Sequence, residues 1–128
     1  MTAPRIPERD RLLEAVDKIA DVVRENADEA ERLRRLPQAT VEALEDAGIF
    51  KMIRPREVGG YEADPVTQHE VIARLSQHDP STGWVAFIGA GSSAFVAGNL
   101  PQGGFEEVRA SLPAGEQWGS FAGSPQPA

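Results

Sequence analysis

The sequence predicts an all-α domain. Apolar residues recur at helical spacing through the first third, and two Asp-Pro dipeptides repeat the same helix-start signal. No segment before Gln117 alternates polar with apolar residues over a useful length.

Leu12, Val16, Ile19, Val23, Ala27 and Ala30 stand three or four residues apart, which places them on one helical stripe. Their spacing predicts a single amphipathic helix from about Glu8 to Leu33. Its outer charges, among them Glu14/Lys18 and Asp28/Arg32, form i,i+4 pairs that suit a solvated face. All twelve glycines lie at or after Gly48, so nothing in this stretch interrupts a helix.

Pro37 suits the first turn of a second helix, where its missing N–H is no loss. Val41 and Leu44 supply its apolar side, and Gly48 ends it, with Ile49 folding back on Leu44 as in a Schellman ending. The segment FKMIRPREVGGYEAD reads as loop because of Pro55 and Gly59-Gly60. Asp64-Pro65 and Asp79-Pro80 each pair an acidic N-cap with proline at the first helical position. A third helix then runs to about Ser76 through Val71, Ile72 and Leu75. The fourth is the segment after Asp79, which carries no Asp, Glu, Lys or Arg until Glu106. Its composition predicts a helix buried on every side. Pro101 and Gly103-Gly104 end it, Phe105 to Ala110 reads as a short helix, and Gln117 to Ala122 as the start of a strand. That strand has no partner in the sequence, so the chain reads as cut short, with residues 1–112 a helical domain and 113–128 a linker and first strand of a second.

Composition narrows the function. Among 128 residues, thirteen Lys+Arg face twenty Asp+Glu, for a formal charge of -7, which argues against nucleic acid as a partner. The absence of Cys removes disulfides, thiolate metal sites and cysteine nucleophiles. It fits a reducing cytoplasm, as does an N-terminus without an apolar signal core. Trp84 to Leu100 is too short and too rich in Gly and Ser for the ~20 large apolar residues of a membrane span.

Candidate sites are few. Gly89-x-Gly91-x-x-Ala94 imitates a dinucleotide-binding turn, but the Asp79-Pro80 cap predicts helix where that motif needs a strand. His69 and His78 stand nine residues apart, a spacing that does not bring two imidazoles onto one helix face, and no metal site is expected. His78 ahead of a cap suits a surface position. No Ser/His/Asp order or G-x-S-x-G elbow is present, and no catalytic residue is assigned. Trp84 and Trp118 open elements and could line a pocket or pack in a core.

Three motifs carry a resemblance: A-L-E-D-A-G-I-F at 43–50, R-P-R-E-V-G-G-Y at 54–61 and D-P-S-T-G-W at 79–84. Together with WGSFAGSPQPA they make the chain, from about Leu12 to Ala128, similar to the N-terminal part of the acyl-CoA dehydrogenase superfamily. The branch it resembles most is that of flavin-dependent aromatic hydroxylases and related oxygenases. Members have an α-helical N-terminal domain, a middle β-domain and a C-terminal four-helix bundle, and usually form tetramers. The resemblance therefore implies the N-terminal part of a flavin-dependent oxidoreductase, a monooxygenase acting on a small organic substrate. A separate flavin reductase is an implied partner, and the flavin is FAD or FMN. It implies flavin contacts at Trp84, Ser120 and Ala122, and a substrate pocket near Phe87, Gly91 and Ser92. Ser92 stands where several hydroxylases carry histidine, and a hydroxyl cannot replace imidazole as a proton acceptor, which weakens phenol hydroxylation as the reaction. The alternatives are an acyl-CoA dehydrogenase proper, whose carboxylate base would lie outside this segment, and a non-catalytic helical interaction module left by truncation.

Overall fold

A computed structural model describes residues 7–101 and 103–111. Six α-helices follow one another: α1 (Pro7–Glu25), α2 (Ala27–Leu33), α3 (Gln38–Asp46), α4 (Pro65–His78), α5 (Pro80–Asn99) and α6 (Gly104–Ser111). No strand occurs among the described residues, and the expected strand from Gln117 lies outside them.

The long first helix is two helices. Asn26 breaks it: its side-chain Nδ2 and its own backbone N–H both donate to the Val22 carbonyl, at 2.9 Å and 3.2 Å. A short amide side chain that competes for backbone acceptors is a known helix breaker, and Asn26 takes ψ near 1° rather than the helical value. The apolar stripe still works across the break, with Leu12, Val16, Val23 and Ala30 buried. Leu13 and Ala20 widen it.

α3 begins one residue later than the sequence suggests, with Pro37 as its N-cap. Gly48 ends it with φ at +79° and donates its N–H to Glu45 O at 2.9 Å. Ile49 and Leu44 lie fully buried in the same core cluster, as a Schellman ending requires. A Cβ on Gly48 would come within 2.6 Å of the Tyr61 ring, so space as well as φ selects glycine there. The following loop holds two 3₁₀ turns, Ile49–Lys51 and Arg56–Val58. It folds back on itself through Tyr61 N–H to Lys51 O (3.1 Å), Glu62 N–H to Arg54 O (3.0 Å) and Ala63 N–H to Met52 O (2.8 Å). The returning chain passes so close that a Cβ on Gly60 would overlap Arg54 O.

Both Asp-Pro signals work as the sequence predicts. Asp64 Oδ1 accepts from Thr67 N–H at 2.7 Å, and Asp79 Oδ2 accepts from Thr82 N–H at 3.0 Å and from the Thr82 hydroxyl. α4 packs against both α1 and α5, and Val71 and Leu75 are fully buried. Arg9 pairs with Glu70 at 2.6 Å across the α1/α4 seam, which raises the Arg9 pKa. α4 runs two residues beyond the expected Ser76, and α6 covers the expected short helix.

α5 departs from expectation. It is not buried on every side: Thr82, Ala86, Gly89, Ala90, Ser93 and Ala97 face the core, while Trp84, Val85, Phe87 and Phe95 face outward. Small residues at successive spacings of three and four let the helix axis approach α4 closely. The large apolar residues are left for the opposite face.

Candidate functional site

Four of the residues singled out from sequence lie on α5, whose start the Asp79 cap sets. Trp84, Ile88, Gly91 and Phe95 fall at i, i+4, i+7 and i+11, which places them on one side of the helix. Trp84 is 65% exposed, Phe87 44% and Phe95 68%. The Trp84 and Phe87 rings lie 6.1 Å apart, tilted by 40°. Gly91 opens a gap between the aromatics, since a Cβ there would meet nothing within 4 Å. Ser92 sits half-buried on the flank of this face. Of the six residues singled out from sequence, four lie on α5: Trp84 and Phe87 are in ring contact, Gly91 lies on the Trp84 side, and Ser92 lies on the flank away from Phe87. Ser120 and Ala122 lie outside the described residues. This face has no charged side chain of its own, and an exposed apolar patch of this kind marks a surface meant for contact.

The inner side of α5 holds a contact that sequence reasoning missed. The Arg54 guanidinium donates to Ser93 Oγ from Nε at 3.0 Å and from Nη2 at 2.6 Å. Ser93 is buried, so the R-P-x-x-x-G-G-Y loop grips α5 midway along its length. The pair was legible only as an arginine that opens a motif. The serine that meets it is neighbour to the one predicted for the pocket.

A groove of about 440 Å³ lies beside Trp84, between the end of α2 and the first turns of α5. It is lined by Leu36, Trp84 and Val85 together with the charged Glu31, Arg34 and Arg35. No sequence motif pointed to it, because its two sides are far apart in the chain.

The remaining candidates do not form sites. The Gly89/Gly91/Ala94 segment is mid-helix rather than a strand-to-helix turn. His69 is exposed, and His78 is half-buried with Nδ1 out of solvent and without a hydrogen-bond partner among the described residues. No three carboxylate or imidazole groups among the described residues come together as a metal site would need. No helix among them is long and apolar enough to cross a membrane.

The last long helix of the described residues buries glycine and alanine and turns its aromatics outward. Residues 7–113 match the family model "Acyl-CoA dehydrogenase, N-terminal domain", and the chain belongs to that family. It is 39% identical over 69% of its length to the oxygenase subunit HsaA, a flavin-dependent monooxygenase, of Mycobacterium tuberculosis (strain ATCC 25618 / H37Rv). It is 32% identical over 77% of its length to the indole-3-acetate monooxygenase of Pseudomonas putida. Those alignments cover 22% and 25% of the two relatives, so the chain spans about a quarter of their length or less. Among solved structures it is similar to XiaF from Streptomyces sp. in complex with FADH2 and glycerol. There the TM-score is 0.72 at 34% identity, covering 85% of this chain and 27% of that one.

Proposed function

We propose that this chain is the N-terminal helical wall of a flavin-dependent monooxygenase acting on a small aromatic substrate. The observation that carries this reading is the inverted burial of α5: its aromatic side faces away from the core of its own domain. An uncharged, aromatic wall suits the ring system of a flavin, but it offers no cations to hold the cofactor's polar edge or phosphate. Those would come from elsewhere in the protein, with Ser120 and Ala122 of the 113–128 segment among the flavin contacts. When bound, reduced flavin supplies the electrons that activate dioxygen.

The residues of this chain have simpler tasks. Trp84 and Phe87 form the wall and exclude water, which strengthens every polar interaction inside a closed site. Gly91 leaves room for a planar substrate beside them, and Ser92 offers one hydroxyl at the margin. Ser92 cannot take a proton near neutral pH as imidazole can, so a base for the substrate must come from elsewhere. Arg54 holds α5 in register through Ser93. The names of the relatives favour oxygenase over dehydrogenase chemistry, and one of them, a resorcinol hydroxylase from Rhizobium sp., is described as an FADH(2)-dependent oxygenase component. A separate reductase is the corresponding partner for this chain, in a homo-oligomer in the cytoplasm.

The test begins with the intact mass of the native gene product. A mass well above 13.8 kDa is the expected result. In that complete polypeptide, Trp84→Ala should weaken reduced-flavin binding and increase the share of electrons lost to peroxide without product. A native mass near 13.8 kDa, or unchanged flavin affinity and coupling in the variant, would overturn the reading.

A further inference from the structure

The groove between α2 and α5 has an unusual floor. α2 closes with a complete Schellman pair, Arg35 N–H to Ala30 O and Arg34 N–H to Glu31 O, both at 3.3 Å. The left-handed position of that motif normally takes glycine. Here it is occupied by Arg34, at φ 55° and ψ 29°. A non-glycine residue is strained there, and such local strain tends to gather where a side chain is needed in one place.

Charge adds a second, independent sign. Arg9, Arg32, Arg56 and Arg74 each hold a carboxylate. Arg34 and Arg35, both exposed, hold none among the described residues; the same is true of Lys18, Arg24 and Lys51, but of these cations only Arg34 and Arg35 line the groove. Glu31 at the same end offsets one of the two cations, leaving a net positive charge. Trp84, Val85 and Leu36 line the same groove. A cavity of about 440 Å³ is of the size that takes small organic ligands.

We propose that this groove binds a small organic anion with a flat apolar body. Its carboxylate would lie at Arg34 and Arg35, and its ring against Trp84 and Leu36. Two guanidinium groups suit a carboxylate because each offers a fork of parallel donors. The indole face adds ring contact. The inference shares Trp84 with the flavin reading but does not require it: all the lining residues lie in α2, the connection to α3 and the start of α5.

The test titrates the 128-residue chain with phenylacetate and, separately, with neutral phenylacetamide. The signal followed is the Trp84 indole Nε1–H resonance, assigned as the one that Trp84→Phe removes. Phenylacetate should shift it saturably, with the amide weaker by about tenfold or more, the scale of one lost charge-assisted contact. The double variant R34G/R35Q should weaken phenylacetate to the level of the amide. Glycine is at ease in the left-handed region, so this variant removes both cations without threatening the fold, and its melting curve checks that. Four results would overturn the proposal: no saturable shift, equal response to acid and amide, full affinity in R34G/R35Q, or broadening that grows with protein concentration and ignores phenylacetate. The last would make the groove a contact between copies of the chain.

Discussion

α4 and α5 start from the same Asp-Pro signal and lie against each other, yet they spend their large side chains in opposite ways. α4 buries Val71 and Leu75 and, apart from Val66 in its first turn, shows polar residues to solvent, as an amphipathic surface helix does. α5 buries glycine, alanine, serine and threonine and shows Trp84, Phe87 and Phe95. The large apolar side chains are therefore divided: those of α1, α3, α4 and the Ile49–Met52 segment go into the core, which α5 joins through Ala86 and Ala90, while those of α5 lie on its outer side. The proposed function assigns its chemistry to that outer side.

The sharpest way to break that division is to truncate the core side of α4. Leu75 is fully buried in the main cluster, so Leu75→Ala should cost about 2–5 kcal/mol by lost burial and cavity formation, read from urea unfolding. A loss below about 1 kcal/mol, the level of ordinary surface change, would mean the α1/α4/α5 core is not packed as described.

Close packing of α5 gives the next largest effect. A Cβ on Gly83 would come within 1.9 Å of Ser76 Oγ, 3.0 Å of Ser76 Cβ and 3.2 Å of its Cα. The hydroxyl can rotate away, but the backbone of α4 cannot. Gly83→Ala should therefore destabilise by about 1–3 kcal/mol, despite alanine's better helix propensity. Thermal melts of the two proteins decide it, and a stabilised variant would show that α4 and α5 are further apart.

Removing a start signal has a smaller consequence. Asp79→Ala should cost about 1 kcal/mol, the usual value of an N-cap. Asp64 permits a test by pH instead of mutation. The Thr67 hydroxyl nearby and the Thr67 N–H lower its pKa. The hydroxyl has no hydrogen-bond partner among the described residues, so the N–H at 2.7 Å is the firm contact. A carboxyl whose folded pKa is depressed adds stability that is fully present above the unfolded value, about 3.9. That stability is lost as the pH falls through the folded pKa. The stability difference between wild type and Asp64→Asn should be constant from pH 7 to about 5 and shrink below about 4. A difference that grows on acidification would contradict the cap.

These caps were legible because an N-cap and its proline are a matter of three or four adjacent residues, and so was Gly48. The split at Asn26 was hidden because the apolar stripe continues across it. The strain at Arg34 was hidden because arginine does not advertise a left-handed turn. The two sides of α5 were also obscured, since hydropathy ranks Ala86 and Phe87 alike as apolar while close packing tells them apart by size. The spacing Thr82, Ala86, Gly89, Ser93, Ala97 was present in the sequence and would have marked the inner side, had small residues been counted as a class. Trp84, Phe87, Gly91 and Ser92 emerged through family resemblance, and the structure puts them on or beside one face. The groove at Arg34 required the fold.

The two smallest effects are the ones that distinguish the outer side of α5 most clearly. A methyl group added at Gly91 would have no neighbour within 4 Å, so Gly91→Ala should stabilise the chain by about 0.5–1 kcal/mol through helix propensity alone. Trp84→Ala should change stability by no more than about 0.5 kcal/mol, since a side chain 65% exposed has little burial to lose. Neither substitution resembles its counterpart inside the helix bundle, Gly83→Ala or Leu75→Ala. On the proposed flavoenzyme reading the order should reverse in a longer gene product: Gly91→Ala would fill the gap between the aromatics and Trp84→Ala would open the wall, so both should impair turnover while the chain's own stability stays intact. If either instead destabilises the isolated chain as strongly as Leu75→Ala does, the outward side of α5 is part of the core, and the division between the two helices disappears.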